Sequence, residues 1–361
     1  MDNNKSFFSS GVYGCVHYPR IKCSGNSVKK KDDYISKIQI YNFFSKNEYK
    51  IGKIVETLNE PSFVTVEKKC YIKEKQLKNI SQKHSCKILK NKKKHNKYII
   101  LYSKYINAIQ YKVLLENQFS IKNIFKLYLF LLNSITLLIT KNIIHKDLHF
   151  ANIILNKDTK DINLIDFGLS IHTDLFYEGN QLNYTFLKKI FIDFDPSWHY
   201  WSIENHILCF YLYKNKQLDE KMLKKIIKGF LNKNIVFNHF HSIDQLSNKM
   251  FLFLKEKYIN DVPIEDKIKD ILDHSWKTWD LYQISYILLS IFIIEKINNF
   301  NSFKNMLIQS LHYDYEKRPN IEVLISDFYT ILENYDKSTL ITKIKNKLNH
   351  KTIMACSKTK K

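Results

Sequence analysis

The stretch "HKDLHFANIILNKDTKDINLIDFG", residues 145–168, gathers His145, Asp147, His149, Asn152, Asp166 and Gly168 into one short span of a chain with only seven glycines. Two apolar runs, "NIIL" and "INLI", flank the turn-forming "NKDTKD", so residues 152–166 read as a tight hairpin. Such a hairpin brings Asp147, Asn152 and Asp166 together at one end. Two carboxylates and an amide oxygen are hard ligands suited to Mg²⁺, which usually keeps substrate phosphates as co-ligands. One carboxylate left off the metal can accept a proton from an attacking hydroxyl. His145, just upstream, is better placed to brace the loop than to do chemistry. Zinc fits poorly, because structural zinc favours Cys and His at regular spacings that are absent here.

Outward from this stretch, the two sides of the chain differ in periodicity. Residues 1–106 read as short strands with insertions: "SSGVYGCVHYP" and "DDYISKIQI" are turn-plus-strand patterns, and "NKYIILYSKYI" is a buried strand. Between them "SKNEYKIGKIVETLN" is helical, and "KNISQKHSCKILKNKKKHNK" reads as a Lys-rich solvated loop. From about residue 120 the pattern turns helical, with Ser120 as an N-cap for "SIKNIFKLYLFLLNSITLLITKN". "DLYQISYILLSIFII" reads as a central, almost wholly apolar helix, and the last 25 or so residues as a loosely held basic tail. No internal repeat is visible.

Bulk composition narrows the class without naming a function. Hydrophobic content of 45% with 25% charged residues is that of a globular chain. The 57 Lys and Arg against 35 Asp and Glu give +22, a field that favours acidic, phosphorylated or nucleic-acid partners. A Lys, Asn and Ile bias accounts for that charge equally well. Six cysteines with no CxxC pair make a disulfide framework or a zinc site improbable, so an intracellular, reducing compartment is the expectation. The runs 127–140 and 284–294 fall short of the ~20 residues that span a bilayer, so no membrane span is expected.

The opening stretch has a counterpart among known families. H-K-D-L-H-F-A-N followed by D-F-G resembles the catalytic and metal-binding loops of the protein kinase superfamily, and the nineteen residues from Asp147 to Asp166 fit that hairpin. The resemblance implies ATP and Mg²⁺ as cofactors, Asp147 as the catalytic base, and Asn152 and Asp166 as metal holders. "SSGVYGCV" resembles the glycine-rich loop: Gly11, Gly14 and Val16 match, and Ser9 replaces the first glycine. Ser9, Ser10, Gly11, Val12, Tyr13, Gly14, Cys15 and Val16 would then lie over the nucleotide phosphates. Lys37, inside the apolar strand pattern "DDYISKIQI", would contact the α- and β-phosphates, with Glu48 as its ion-pair partner and Glu56 as a rival. "IILYSKYINA" resembles the hinge strand, where adenine would meet backbone groups of Ser103 to Ile106. Glu204 stands in the place of the Glu in A-P-E, Asp280 would fasten the catalytic-loop backbone, and Arg318 would pair with Glu204.

The expected fold is therefore α+β: a two-lobed kinase-like fold with a small antiparallel-sheet lobe (1–106) and a larger helical lobe (107–335). An extra helical insert at about 207–275 and a basic tail at 336–361 complete it. The implied function is a serine/threonine protein kinase acting on protein substrates as a monomer. Two alternatives stay open. The H-x-D-L-H-x-x-N form also resembles small-molecule phosphotransferases, and a basic pseudokinase scaffold would bind nucleic acid or acidic partners. Lys146 replaces the usual Arg, which in the family often pairs with an activation-loop phosphate, so control through Thr173, Tyr177, Tyr184 or Thr185 is not expected. The insert and the Lys, Asn and Ile bias look like kinases of nucleocytoplasmic large DNA viruses, which would place the protein in host cytoplasm or virion.

Overall fold

The computed structural model describes residues 9, 10, 14–22, 33–72, 86, 97–117, 120–191, 194–214 and 216–335. They belong to two compact units, one from Met1–Asn117 with Ala151–Ser170, the other from Gln118–Phe150 with Ile171–Lys361. Gly11, Val12 and Tyr13 of the expected phosphate loop, most of the Lys-rich loop and the basic tail lie outside the described residues.

In the first unit, strands β1 (Ser9–Ser10), β2 (Gly14–His17) and β3 (Tyr34–Ile40) precede helix α1 (Phe43–Glu56). Strands β4 (Phe63–Val64), β5 (Lys68–Tyr71), β6 (Tyr98–Lys104) and β7 (Ala108–Gln110) follow, and then helix α2 (Tyr111–Asn117). Five strands form an antiparallel sheet in the order β1-β2-β3-β6-β5. β6 lies between β3 and β5, and its alternation explains why both faces are covered. Tyr98, Ile100 and Tyr102 pack on one face with Cys15, Ile38 and Cys86, while Ile99 and Leu101 join Val66 on the other. Gly14 is required by packing: a Cβ there would meet the Ile38 carbonyl oxygen at 2.6 Å. α1 opens with a reciprocal cap in which Asn42 accepts from the Ser45 backbone N–H and Ser45 accepts from that of Asn42.

After α3 (Ile121–Ile139) and β8 (Ile143–Ile144) of the second unit, the chain supplies β9 (Ile153–Asn156) and β10 (Ile162–Ile165) to the first. β9 pairs antiparallel with β10 and β7, and β10 runs parallel to β4, giving the order β4-β10-β9-β7. This pairing is why the compact units do not follow a single boundary at 106. The expected hairpin over 152–166 is present, closed by Asn156, whose side-chain oxygen accepts the Asp158 N–H.

The cysteine expectation is corrected by the structure. Cys15 on β2 and Cys86 form a disulfide across 71 residues of sequence, and Cys70 is disulfide-bonded as well. The absence of CxxC spacing has no bearing on bridges of that span, which only the sheet brings together. Cys15, read as part of the nucleotide loop, thus has its side chain committed to the core of the sheet.

The second unit continues with β11 (Ile171–His172), paired to β8, and the hairpin β12 (Tyr177–Glu178) and β13 (Gln181–Leu182). Helices α4 (Tyr184–Ile190), α5 (Ile203–Lys214), α6 (Glu220–Leu231), α7 (Ile235–Phe240) and α8 (Ile243–Tyr258) come next. The 31-residue α9 (Ile264–Ile294), α10 (Asn301–Gln309) and α11 (Ile321–Tyr335) complete it. Residues 207–275, expected as an insert, comprise the rest of α5, then α6, α7, α8 and the first turns of α9. By length and composition α3 could cross a membrane, a longer apolar element than the run read from sequence, yet most of that window is buried. Ser120 stands at its N-cap without a side-chain capping bond. The mixed architecture, an antiparallel-sheet N-terminal region with a helical remainder, is consistent with a kinase-like fold.

Candidate active site

In the first unit Lys37, Glu48 and Asp166 converge. Lys37 Nζ lies 2.9 Å from both Asp166 oxygens and 3.1 Å from both Glu48 oxygens. Lys37 reaches this position from the middle of β3, Glu48 from the second turn of α1, and Asp166 from the residue after β10. Glu56, the rival partner, instead pairs with Lys53 at 2.9 Å on the helix surface. Gln39, two residues along the same strand face as Lys37, donates to Glu48 Oε2 at 2.8 Å.

Two carboxylates share one ammonium here. Burial opposes the charge on Lys37, but the Asp166 and then the Glu48 carboxylates outweigh it and hold the ammonium above the ordinary lysine range. Burial raises the Glu48 carboxyl; Lys37 pulls it back and the Asp166 charge adds to the rise. The cluster therefore sets two carboxylates against one ammonium, which they hold protonated.

The D-F-G turn is held from α1. Asn47 Nδ2 donates to the Ser170 carbonyl at 2.7 Å and the Gly168 carbonyl at 3.3 Å. Phe167 is buried edge-on against Phe63 of β4. Asp166 itself has a positive φ of 64°, a conformation that costs energy outside glycine and is kept where surrounding contacts fix it. A Cβ on Gly168 would stand 3.2 Å from Asp166 Oδ1 and 3.4 Å from Glu48 Oε2. Any side chain there would crowd the two carboxylates.

The register Ile153↔Leu164 puts Asn152 just before and Asp166 just after the open end of the hairpin. As donors they fit Mg²⁺: a carboxylate and an amide oxygen are hard ligands that leave positions for phosphate and water. A divalent cation held there would add positive charge beside the two carboxylates that share Lys37.

In the second unit, residues 145–148 form a loop whose every backbone N–H has a partner. His145 N–H donates to Asp280 Oδ2 at 2.7 Å and Lys146 N–H to Asp280 Oδ1 at 2.9 Å. The Asp147 N–H meets His145 Nδ1 at 3.3 Å, and the Leu148 N–H donates to Gln283 Oε1 at 2.8 Å. Asp280 and Gln283 are three residues apart on α9, hence on one face. Gln283 returns a bond to the Lys146 carbonyl at 2.7 Å, and Trp201 Nε1 donates to the same oxygen at 3.0 Å. Burial pushes the Asp280 carboxyl up to about 6, against the two N–H groups that stabilise its anion. The Asp147 carboxylate emerges from this braced loop with His149 Nε2 at 3.5 Å. Further along, Glu204 and Arg318 form the expected ion pair, and burial of Glu204 is outweighed by the guanidinium, which keeps its carboxyl below the usual range.

Sequence reasoning missed Gln39, Asn47, Trp201 and Gln283. Strand and helix periodicity from Lys37 and Asp280 could have found Gln39 and Gln283. Asn47 and Trp201 act through long-range bonds to backbone carbonyls, for which the sequence carries no signal.

No curated protein matches the chain. Residues 40–192, less than half of the chain, match a family model described as the ABC1 atypical kinase-like domain. That span holds Glu48, Asp147, Asn152 and Asp166 and begins just after Lys37. Together with the fold, the match supports a kinase-like protein, similar over those residues to the ABC1 atypical kinase-like domain.

Proposed function

We propose that the protein is an ATP- and Mg²⁺-dependent phosphotransferase acting on Ser or Thr hydroxyls of protein substrates. The observation that carries this reading is the cluster in which Lys37 lies within 3.1 Å of both Glu48 and Asp166. It holds a charged lysine and an oxygen-donor carboxylate side by side, as nucleotide phosphates and their metal require. Bound ATP with Mg²⁺ would supply the γ-phosphoryl group and the positive charge that offsets the phosphates. Lys37 would hold the α- and β-phosphates, and Asn152 with Asp166 would hold the metal. Asp147 would orient the acceptor hydroxyl and take its proton. Catalysis would rest on positioning and charge rather than a covalent intermediate. The buried Glu204–Arg318 pair favours a protein over a small-molecule acceptor, since it resembles the part that supports a protein-kinase substrate platform.

The test is transfer from labelled ATP with Mg²⁺ to basic and acidic proteins, and to aminoglycosides and choline, by the parent, Lys37→Met and Asp147→Asn. Label should enter protein with the parent and fall sharply with both variants. Label in small molecules alone would reassign the acceptor. No turnover, with nucleic-acid binding that weakens steeply with salt, would make the chain a basic scaffold.

A further inference from the structure

The face of α1 turned away from Glu48 carries a different chemistry. Lys46, Tyr49, Lys50 and Lys53 follow one another along it at helical spacing, opposite the buried Asn47, Glu48, Ile51 and Val55. Lys46 and Lys50 are exposed. β5, the last strand in the order of the five-stranded sheet, adds Lys69 and Tyr71. Their cross-strand partners are Leu101 and Ile99, so both lie on the sheet face that carries those two residues.

Lysine and tyrosine interleave here. Lys69 Nζ lies 4.2 Å from the centre of the Tyr49 ring and Lys46 Nζ 4.6 Å from that of Tyr41, while Tyr41 and Tyr71 meet edge to face at 5.1 Å. Tyr41 and Tyr49 are seated on the Val66, Ile99 and Leu101 core, so the rings hold two ammonium groups at fixed points of the surface. Tyr71 is 53% exposed. Glu56 is engaged by Lys53, and Glu67, just before β5, by the Tyr34 hydroxyl at 2.8 Å. By sequence, residues 73–97, which continue from β5, contain ten lysines against one acid, Glu74.

The charges alone would also suit an acidic protein; the exposed ring among them favours a base. Phosphates of a single strand meet the cations, and a base, whose faces are hidden in a duplex, stacks on the ring. We infer that this face of the first unit, with Lys46, Lys50 and Lys69 around Tyr41, Tyr49 and Tyr71, binds single-stranded nucleic acid. Phosphates and base faces are common to DNA and RNA, so the surface takes either sugar. It lies on the side of α1 opposite Glu48, so a bound strand leaves the Lys37 cluster open. The inference is independent of phosphate transfer, because binding is measured without turnover.

The experiment follows the anisotropy of labelled oligothymidylate, oligouridylate and a duplex of equal length as the full chain is added over a range of salt. Both single strands should bind alike and more tightly than the duplex, and excess ATP should not displace them. Lys46→Gln/Lys50→Gln/Lys69→Gln should weaken binding by about tenfold or more and lower the salt slope by about 2, one phosphate contact per lysine. Lys221→Gln/Lys225→Gln/Lys228→Gln removes as many exposed charges from α6 and should stay within about threefold of the parent. Tyr71→Ala should cost about fivefold or more, and Tyr71→Phe, which keeps the ring, should restore it. If the first triple variant does not fold, Lys46→Gln and Lys69→Gln singly should each lower the slope by about 0.7. Equal losses in the two triple variants would mean a general charge effect and overturn the inference. So would parental binding in Tyr71→Ala, a duplex bound as tightly as a single strand, a strict preference for one sugar, or displacement by ATP. Binding of polyglutamate or anionic phospholipid vesicles without binding of oligonucleotides would give the face to an acidic protein or a membrane instead.

Discussion

Arg318 grips both carboxylate oxygens of Glu204, at 2.7 and 2.8 Å, with each side chain only 1% exposed. The guanidinium is also spoken for elsewhere, by the Thr278 hydroxyl at 3.1 Å and the His312 carbonyl at 2.7 Å. The pair joins the start of α5 to the chain just before α11, across 114 residues of sequence. Arg318→Met would leave a buried, unpaired carboxylate and should cost about 3–5 kcal/mol in denaturant unfolding. Replacing both residues by apolar ones should cost distinctly less than the sum of the two single changes.

Asp280 makes stability depend on pH in a stated direction. Its carboxyl lies at about 6 in the folded protein against an ordinary 3.8, so the folded state binds the proton more tightly than the unfolded chain. The stability this contributes is fully present below pH about 4 and is lost as pH rises through about 6, up to roughly 3 kcal/mol. Asp280→Asn removes this dependence. Unfolding free energies of parent and variant, measured from pH 4 to 7, should therefore differ by an amount that falls as pH rises.

On the proposed phosphotransferase reading, the roles at the candidate site separate kinetically. Asp147→Asn should lower turnover by about 10²–10⁴-fold while ATP still binds, because only a proton acceptor is lost. Lys37→Met should weaken ATP binding as well as lower turnover by about 10²–10³-fold, since a charge aimed at the phosphates is removed. Glu56→Gln serves as the control and should stay near parental turnover, because Glu56 pairs with Lys53 on the surface. Steady-state kinetics with equilibrium ATP binding checks all three.

The Cys15–Cys86 bridge closes a long loop over the core of the five-stranded sheet. By the chain-entropy account, cutting it should cost about 4 kcal/mol. Denaturant unfolding of parent and Cys86→Ser, both without reductant, should show that loss, and thiol labelling of the folded, unreduced parent should leave Cys15 unmodified.

Much of the candidate site was legible before any coordinates. Glycine, Asp and Asn at fixed offsets around a hairpin carry their own turn chemistry, so Asp147, Asn152 and Asp166 could be picked out locally. The spacing of Lys37 and Glu48 left Glu56 open, and the choice fell to helix phase: Glu48 lies on the buried face of α1 while Glu56 faces solvent beside Lys53. Gly14 was read as a phosphate-loop glycine, yet it is also demanded by its contact with the Ile38 carbonyl, a fact of strand packing.

The sequence by itself determined the order of strands and helices and the hairpin with its oxygen donors, because periodicity and turn preference act over a few residues. Tertiary structure alone decided the Cys15–Cys86 bridge, the joining of 151–170 to the N-terminal unit, and the placing of Lys146 beside the Phe191 and Trp201 rings. Each of these depends on groups tens of residues apart, and only burial in a packed core brings such groups within bonding distance.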